Sequence, residues 1–191
     1  MKTLYIDTET TGTDPQVNDI IQIAFIIETD NKINGKWDFK CSPLKQENIS
    51  QEALDIQELT FQDVINRPPP SIAYKELIKV FDRYINKFDK ADKFTVIGHN
   101  VKFDISFLQQ FFISNGNHFL YSYINYFPID TLFLANYLKY HNILNTDNLK
   151  LATLCDYFKI SLDAHDAMND IIATRDLLIK MNNLIDLKYD T

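Results

Sequence analysis

The chain opens on an apolar run, Leu4-Tyr5-Ile6, followed by Asp7-Thr8-Glu9-Thr10-Thr11-Gly12. An apolar run closed by a turn residue predicts a buried strand. Asp19 to Glu28 is apolar and β-branched and predicts a second strand. Asn31 to Gly35 predicts a hairpin turn, and Lys36 to Cys41 a third strand antiparallel to the second. Beyond Pro43 the signals shorten. Ser50 is a helix cap for a short helix near Ile49 to Ala53, and Leu59 to Val64 predicts another helical turn. Arg67-Pro68-Pro69-Pro70 predicts a stiff, extended connector.

Helical spacing then takes over. Ile72, Leu77, Val80, Phe81, Tyr84 and Ile85 mark an amphipathic helix over Ser71 to Phe88. Phe94 to Gly98 predicts a short buried strand, and Val101 to Ser114 a helix with Asn100 as its N-cap. Tyr126 to Asp130 predicts a strand, and Thr131 to Tyr140, Asn148 to Phe158 and a segment from about Asp163 or Asp166 to Ile185 predict helices. A meander followed by alternating strands and helices implies an α/β fold. Its mixed central sheet has about five strands, the first three antiparallel, flanked by helices. No repeat or linker divides the chain, so residues 1–191 are expected to form one domain.

Composition narrows this picture. The chain has 191 residues, 46% hydrophobic and 24% charged, which is ordinary for a folded protein. A formal net charge of −7 argues against a protein that wraps duplexes with a broad basic face. It leaves room for a small site that takes one nucleic-acid end. Cys41 and Cys155 lack metal-ligand spacing and are expected to be reduced core thiols. No apolar run reaches membrane-spanning length, and nothing before the first strand resembles a signal peptide. A cytoplasmic location is the expectation.

Asp7 and Glu9 stand two apart on a strand and therefore share a face. Two carboxylates side by side repel, and burial raises the cost of both charges. A hard divalent cation with oxygen ligands would offset this. Two other segments offer acids. Asp104 shares the inward stripe of its helix with Leu108 and Phe111, although a first-turn Asp also suits a helix N-terminus. Asp170 neighbours Ala167, Ile171 and Thr174 on the inward face of the last helix, whereas Asp166, Asp176 and Asp186 read as solvated. His165 lies five residues before Asp170, about 140° away in a regular helix, so both address one site only if His165 sits on a loop. Four acids and a histidine suit two-cation phosphodiester hydrolysis. The cations would lie about 3.5–4 Å apart, with the imidazole taking a proton from water near neutral pH.

Three stretches resemble the exonuclease motifs of the DEDDh, or DnaQ-like, 3′–5′ exonuclease family, which includes the proofreading epsilon subunit of bacterial DNA polymerase III. They are Asp7 to Gly12, Gly98 to Leu108 and His165 to Asp170, in the family's order. The resemblance covers about Met1 to Met181 and extends to Ile129-Asp130-Thr131-Leu132 and Asn148-Leu149. It implies a ribonuclease H-like fold. It also implies that Asp7, Glu9, Asp104 and Asp170 hold two Mg²⁺ or Mn²⁺ ions and that His165 is the general base. Thr10, Thr11, Gly12, Leu59, Asn100 and Phe103 would meet the substrate.

The chain departs from the family before the mid-chain helices. Many relatives carry His-Gly-Ile-Thr there, and this chain has Ile56-Gln57-Glu58-Leu59-Thr60. Thr191 follows the last helix closely, unlike the polymerase-bound subunit with its C-terminal extension. That points to a stand-alone nuclease, with a polymerase or replication partner as the other possibility and monomer or homodimer left open. The expected activity is release of nucleoside monophosphates from single-stranded or frayed 3′ ends, DNA favoured over RNA. The alternatives are an exoribonuclease of the RNase T type and a non-catalytic module that binds nucleic-acid ends. An endonuclease of ribonuclease H type would need a basic surface that the charge balance does not supply. Lys102 is a candidate phosphate contact. Lys87, Lys90 and Lys93 read as a solvated face, and Phe103, Phe107 and Phe111 as mainly core by their spacing.

Overall fold

Five strands form one sheet in the order β3-β2-β1-β4-β5 in the computed structural model, which describes residues 1–162 and 166–189. They are β1 (Lys2–Thr10), β2 (Ile20–Thr29), β3 (Lys32–Lys40), β4 (Thr95–Gly98) and β5 (Ile129–Asp130). The first three form the expected antiparallel meander, and β4 and β5 add in parallel beyond β1. Among the described residues, seven α-helices accompany the sheet: α1 (Gln51–Ile56), α2 (Phe61–Ile65), α3 (Pro70–Tyr84), α4 (Lys102–Ser114), α5 (Thr131–Tyr140), α6 (Leu151–Phe158) and α7 (Ala167–Tyr189).

Strand alternation sends β1 side chains to two different cores. Leu4 and Ile6 join Phe25 and Val96 under Leu77 and Phe81 of α3 and Phe107, Leu108 and Phe112 of α4. Tyr5 joins Ala24, Ile26 and Ile97 under Ala167, Ile171 and Leu178 of α7. Helices α5, α6 and α7 pack together through Ala135, Leu138, Leu154, Leu177 and Met181. A satellite core of Ile21, Leu54 and Val64, with Leu59 against it, holds α1 and α2 beside the end of β2. Cys41 and Cys155 are buried and free, as their spacing implied.

Three local expectations are corrected. The β2–β3 turn is Asp30-Asn31, both at positive φ (50° and 63°), rather than Asn31 to Gly35. Paired positive φ values match the twist of a tight hairpin. Asn34-Gly35 instead forms a bulge, where pairing steps from Ile27–Gly35 to Glu28–Ile33. Gly35 is required there because a Cβ would lie 2.4 Å from the Trp37 ring. Pro70 does not end an extended piece. It opens α3 at a position where a missing N–H costs nothing, and α3 stops at Tyr84. Asn100 does not cap α4: it takes φ 60°, and Val101 is the N-cap. The amides of Asn100 and Val101 donate instead to Asp130, at 2.9 and 3.1 Å.

Candidate active site

Strand β1 brings the first two acids. Asp7 pairs with Ala24 and Glu9 with Gln22, so both point to the face that α7 covers. Asp170 stands in the first turn of α7, whose Ala167 and Ile171 anchor it on that face. Asp104 arrives from the other side of the sheet. It is 3% exposed, and its Oδ1 accepts from the Thr8 amide at 2.9 Å and the Thr8 hydroxyl at 2.8 Å. Thr8, between the two β1 acids, thus ties α4 to the end of the strand.

The electrostatics report the convergence. Burial raises the Asp7 carboxyl well above its usual range, and Asp104, Glu9, Asp170 and Asp166 each raise it further. Glu9 is pushed up to about 7 by burial and then by Asp170 and Asp166, with Arg67 opposing. Burial also raises Asp104, against the two bonds from Thr8. Acids from β1, α4 and the start of α7 therefore share one electrostatic neighbourhood. Among the described residues, no trio of His, Cys, Asp or Glu already closes around a point as a cation cage. The donor chemistry still fits a hard divalent cation: it is all carboxylate oxygen, and its charges penalise one another when nothing positive lies among them. His165 lies outside the described residues.

Two participants escaped the sequence reading. Asp166, read there as solvated, is half-buried and accepts from the Met168 and Asn169 amides at 3.1 Å each, so it caps α7 while facing Asp7 and Glu9. Its position just before the first inward residue of α7 was a cap signal. Arg67, whose Nη1 donates to the Ile21 carbonyl at 3.0 Å, is the cation nearest in effect to Glu9. It comes from the loop before α3, and nothing in its local sequence announced that.

A cleft of about 300 Å³ is lined by Thr10 and Phe103, the chain neighbours of Glu9 and Asp104, together with Gly12, Ser50, Ile56 and Gln57 among others. Thr10, Gly12 and Phe103 were expected at the substrate. Thr11 is fully buried and structural: its carbonyl accepts from the Ser50 amide at 2.8 Å, and its hydroxyl from the Asp19 amide at 2.9 Å. Gly12 is demanded by Asn18, whose side chain would lie 2.5 Å from a Cβ. Leu59 packs in the satellite core, and it is exposed Ile56 that lines the cleft. Gln57 donates to the Thr10 carbonyl at 2.9 Å, joining α1 to the end of β1. Asn100 is exposed at the start of the α4 loop. His99 is held structurally, with Nδ1 2.9 Å from the Thr131 hydroxyl and Nε2 3.0 Å from the Leu149 carbonyl.

The exonuclease family model RNase_T matches residues 4–178. The PolC-type DNA polymerase III of Oceanobacillus iheyensis is 28% identical over 176 residues, covering 92% of this chain and 11% of that protein. E. coli exonuclease I in complex with a dT13 oligonucleotide superposes with a TM-score of 0.75 at 22% identity, over 98% of this chain and 43% of the other. A zinc-bound form of the E. coli exonuclease I–single-stranded DNA complex gives 0.76, also at 22%, over 99% and 43%. The chain thus spans about a tenth of the polymerase and under half of the nuclease. With 175 matched residues running through all three acid-bearing elements, the chain belongs to the exonuclease family, on the ribonuclease H-like fold of its DnaQ-like members.

Proposed function

We propose that this chain is a metal-dependent 3′–5′ exonuclease that releases nucleoside monophosphates from single-stranded or frayed ends, DNA in preference to RNA. The observation that carries the reading is the convergence of Asp7, Glu9, Asp104 and Asp170 beside a cleft of about 300 Å³. The cleft's volume suits one terminal nucleotide, with Phe103 and Ile56 as its apolar walls. The preference for DNA is supported by the oligonucleotide bound to E. coli exonuclease I and by the polymerase relatives. Those relatives also support a role beside a DNA polymerase, and a cytoplasmic location is part of the same reading.

Asp7, Glu9, Asp104 and Asp170 would hold the cations, with Asp7 facing all the others. Bound there, a pair of Mg²⁺ or Mn²⁺ ions supplies the positive charge a phosphodiester needs as it gains an entering oxygen and loses its leaving group. Thr8 orients Asp104 through two hydrogen bonds. Asp166 fixes the first turn of α7 and thereby Asp170, whose amide donates to the Asp166 carbonyl at 3.0 Å. His165 takes a proton from the attacking water, a task an imidazole performs near neutral pH. Phe103 holds the terminal base in the cleft.

Digestion of 5′-labelled DNA and RNA oligonucleotides of one sequence, with Mg²⁺ or with EDTA, tests this. The expected result is an EDTA-sensitive ladder that shortens from the 3′ end, faster on DNA. No shortening of either polymer, even with Mn²⁺, overturns it.

A further inference from the structure

The cleft accounts for one nucleotide, and a polymer must continue past it. On the other flank of α4 lies a second concavity of about 500 Å³ that the proposed chemistry does not use. Lys102, Ser106 and Gln109 of α4 form one wall, and Tyr121, Tyr126 and Phe133 the other. Tyr126 and Phe133 are 72% and 68% exposed. The Tyr121 and Tyr126 rings lie 5.4 Å apart, and Phe127 is 5.4 Å beyond Tyr126. From Phe133 the stripe continues along α5 through Tyr137 and Tyr140, which pack on His141 at 4.5 and 5.1 Å. These positions follow helical spacing and are exposed, so their rings are not core. Phe133 to Tyr140 covers about 10 Å of helix, room for two or three splayed bases.

Charge favours a polyanion over an apolar protein segment. The chain carries 26 acids, yet between Ile105 and Thr146 the only one is Asp130. Its carboxylate accepts backbone amides from Asn100, Val101 and Leu132 at 2.9, 3.1 and 2.9 Å, so its charge is already held by N–H groups. Lys102 is the cation of the lining. A strip of rings with one lysine and, as its one acid in the lining, the amide-held Asp130 offers phosphates little repulsion on a chain of net charge −7. Lys102, Phe103 and Asp104 are consecutive. The first turn of α4 therefore carries a groove residue, Lys102, a cleft residue, Phe103, and a buried acid, Asp104.

The geometry points to a single-strand track: the Tyr126–Phe133 groove and the outer face of α5 stack the bases that lie on the 5′ side of the bond being cut. This rests on the cleft being the seat of the terminal nucleotide. Fluorescence anisotropy in EDTA at low salt, where nothing is cut, tests it with labelled oligothymidylate and oligouridylate of about twelve residues. The Tyr126→Ala/Phe133→Ala double variant is expected to bind roughly tenfold more weakly, about 1.4 kcal/mol. Phe88→Ala, which removes an exposed ring outside the groove, is expected to match the unaltered chain. In the unaltered chain, 5-iodouracil placed a few residues from the 3′ end should photocross-link to Tyr126 or Phe133. Equal affinities for the unaltered chain and the double variant overturn the track, as does no binding by the unaltered chain. If the double variant instead loses only self-association in sedimentation, the groove belongs to a second copy. Binding through these rings without any ladder in Mg²⁺ would keep the track and remove the exonuclease reading. A ladder indifferent to the rings would do the reverse.

Discussion

Two ends of one interface treat their acids in opposite ways. Under α7, near the start of β1, Glu28 is 6% exposed and is met by Arg175 Nε at 2.5 Å. The Tyr5 hydroxyl faces the same carboxylate; burial first, and then the Glu28 charge, push Tyr5 up to about 12. Glu28 lies opposite Thr3 in the sheet, and Asp7 lies opposite Ala24, roughly 13 Å further along the same face. There the acids face one another, and among the described residues Arg67, on the Glu9 side, opposes them. The protein neutralises one end with its own cation, and the proposed function has the other take cations from solution. A buried acid is therefore not by itself a site. What distinguishes the site is that its neighbours are more acids.

The largest expected effect breaks the acidic end. Asp7→Asn should cost at least about a thousandfold in turnover with saturating Mg²⁺, about 4 kcal/mol of barrier, with the circular dichroism spectrum unchanged. A variant that keeps a tenth of the activity contradicts the assignment of Asp7. His165→Ala should slow turnover roughly a hundredfold or more while the Mg²⁺ midpoint moves far less. Its log rate should also lack the slope between pH 6 and 8 that the unaltered chain is expected to show. An unchanged pH profile removes His165 as the base.

The neutral end should respond in stability instead. Arg175→Met leaves Glu28 buried beside Tyr5 with its ion pair gone, and should cost about 3 kcal/mol by urea unfolding. Adding Glu28→Gln to that variant should recover most of the loss, because the stranded charge disappears with it.

The smallest effect sharpens the contrast through pH. Glu9 titrates near 7 in the folded chain and near 4.5 when unfolded, so the folded state holds the extra proton between those values. Metal-free stability should therefore fall as pH rises from about 4.5 to 7 and stay low above that. Glu9→Gln removes this term. In EDTA at pH 8 it should be stabilised by about 1–3 kcal/mol, and the gain should vanish near pH 4. Added Mg²⁺ should raise the melting temperature of the unaltered chain more than that of Glu9→Gln, since only ligand bound to the folded state stabilises it. Equal shifts would take Glu9 out of the cation site.

Much of this was legible in one dimension because the cues are local. Asp7 and Glu9 share a face by strand alternation, and α5 runs over Thr131–Tyr140 as its spacing implied. The β2–β3 turn was misplaced because Asn34-Gly35 carries turn chemistry at a bulge, while Asp30-Asn31 makes the reversal without glycine. Asn100 looked like a cap because Asn is a good one. The α4 amides were instead claimed by Asp130, thirty residues on, which sequence spacing cannot reveal. Asp166 read as solvated because helical periodicity says nothing of what faces the residue just ahead of a helix.

The sequence by itself determined the mixed sheet, the inward acids of three elements and the family they belong to. All of these follow from periodicities of two and 3.6 and from residue type, which act within a few residues of chain. The tertiary structure decided which acids are met by an internal cation and which by each other, that Ile56 rather than Leu59 walls the cleft, and that the rings of Tyr126, Phe133, Tyr137 and Tyr140 stay outside. Those outcomes depend on packing α4, α5 and α7 across one sheet. Coulomb interaction and burial depend on distance in space, and only the folded chain sets that distance.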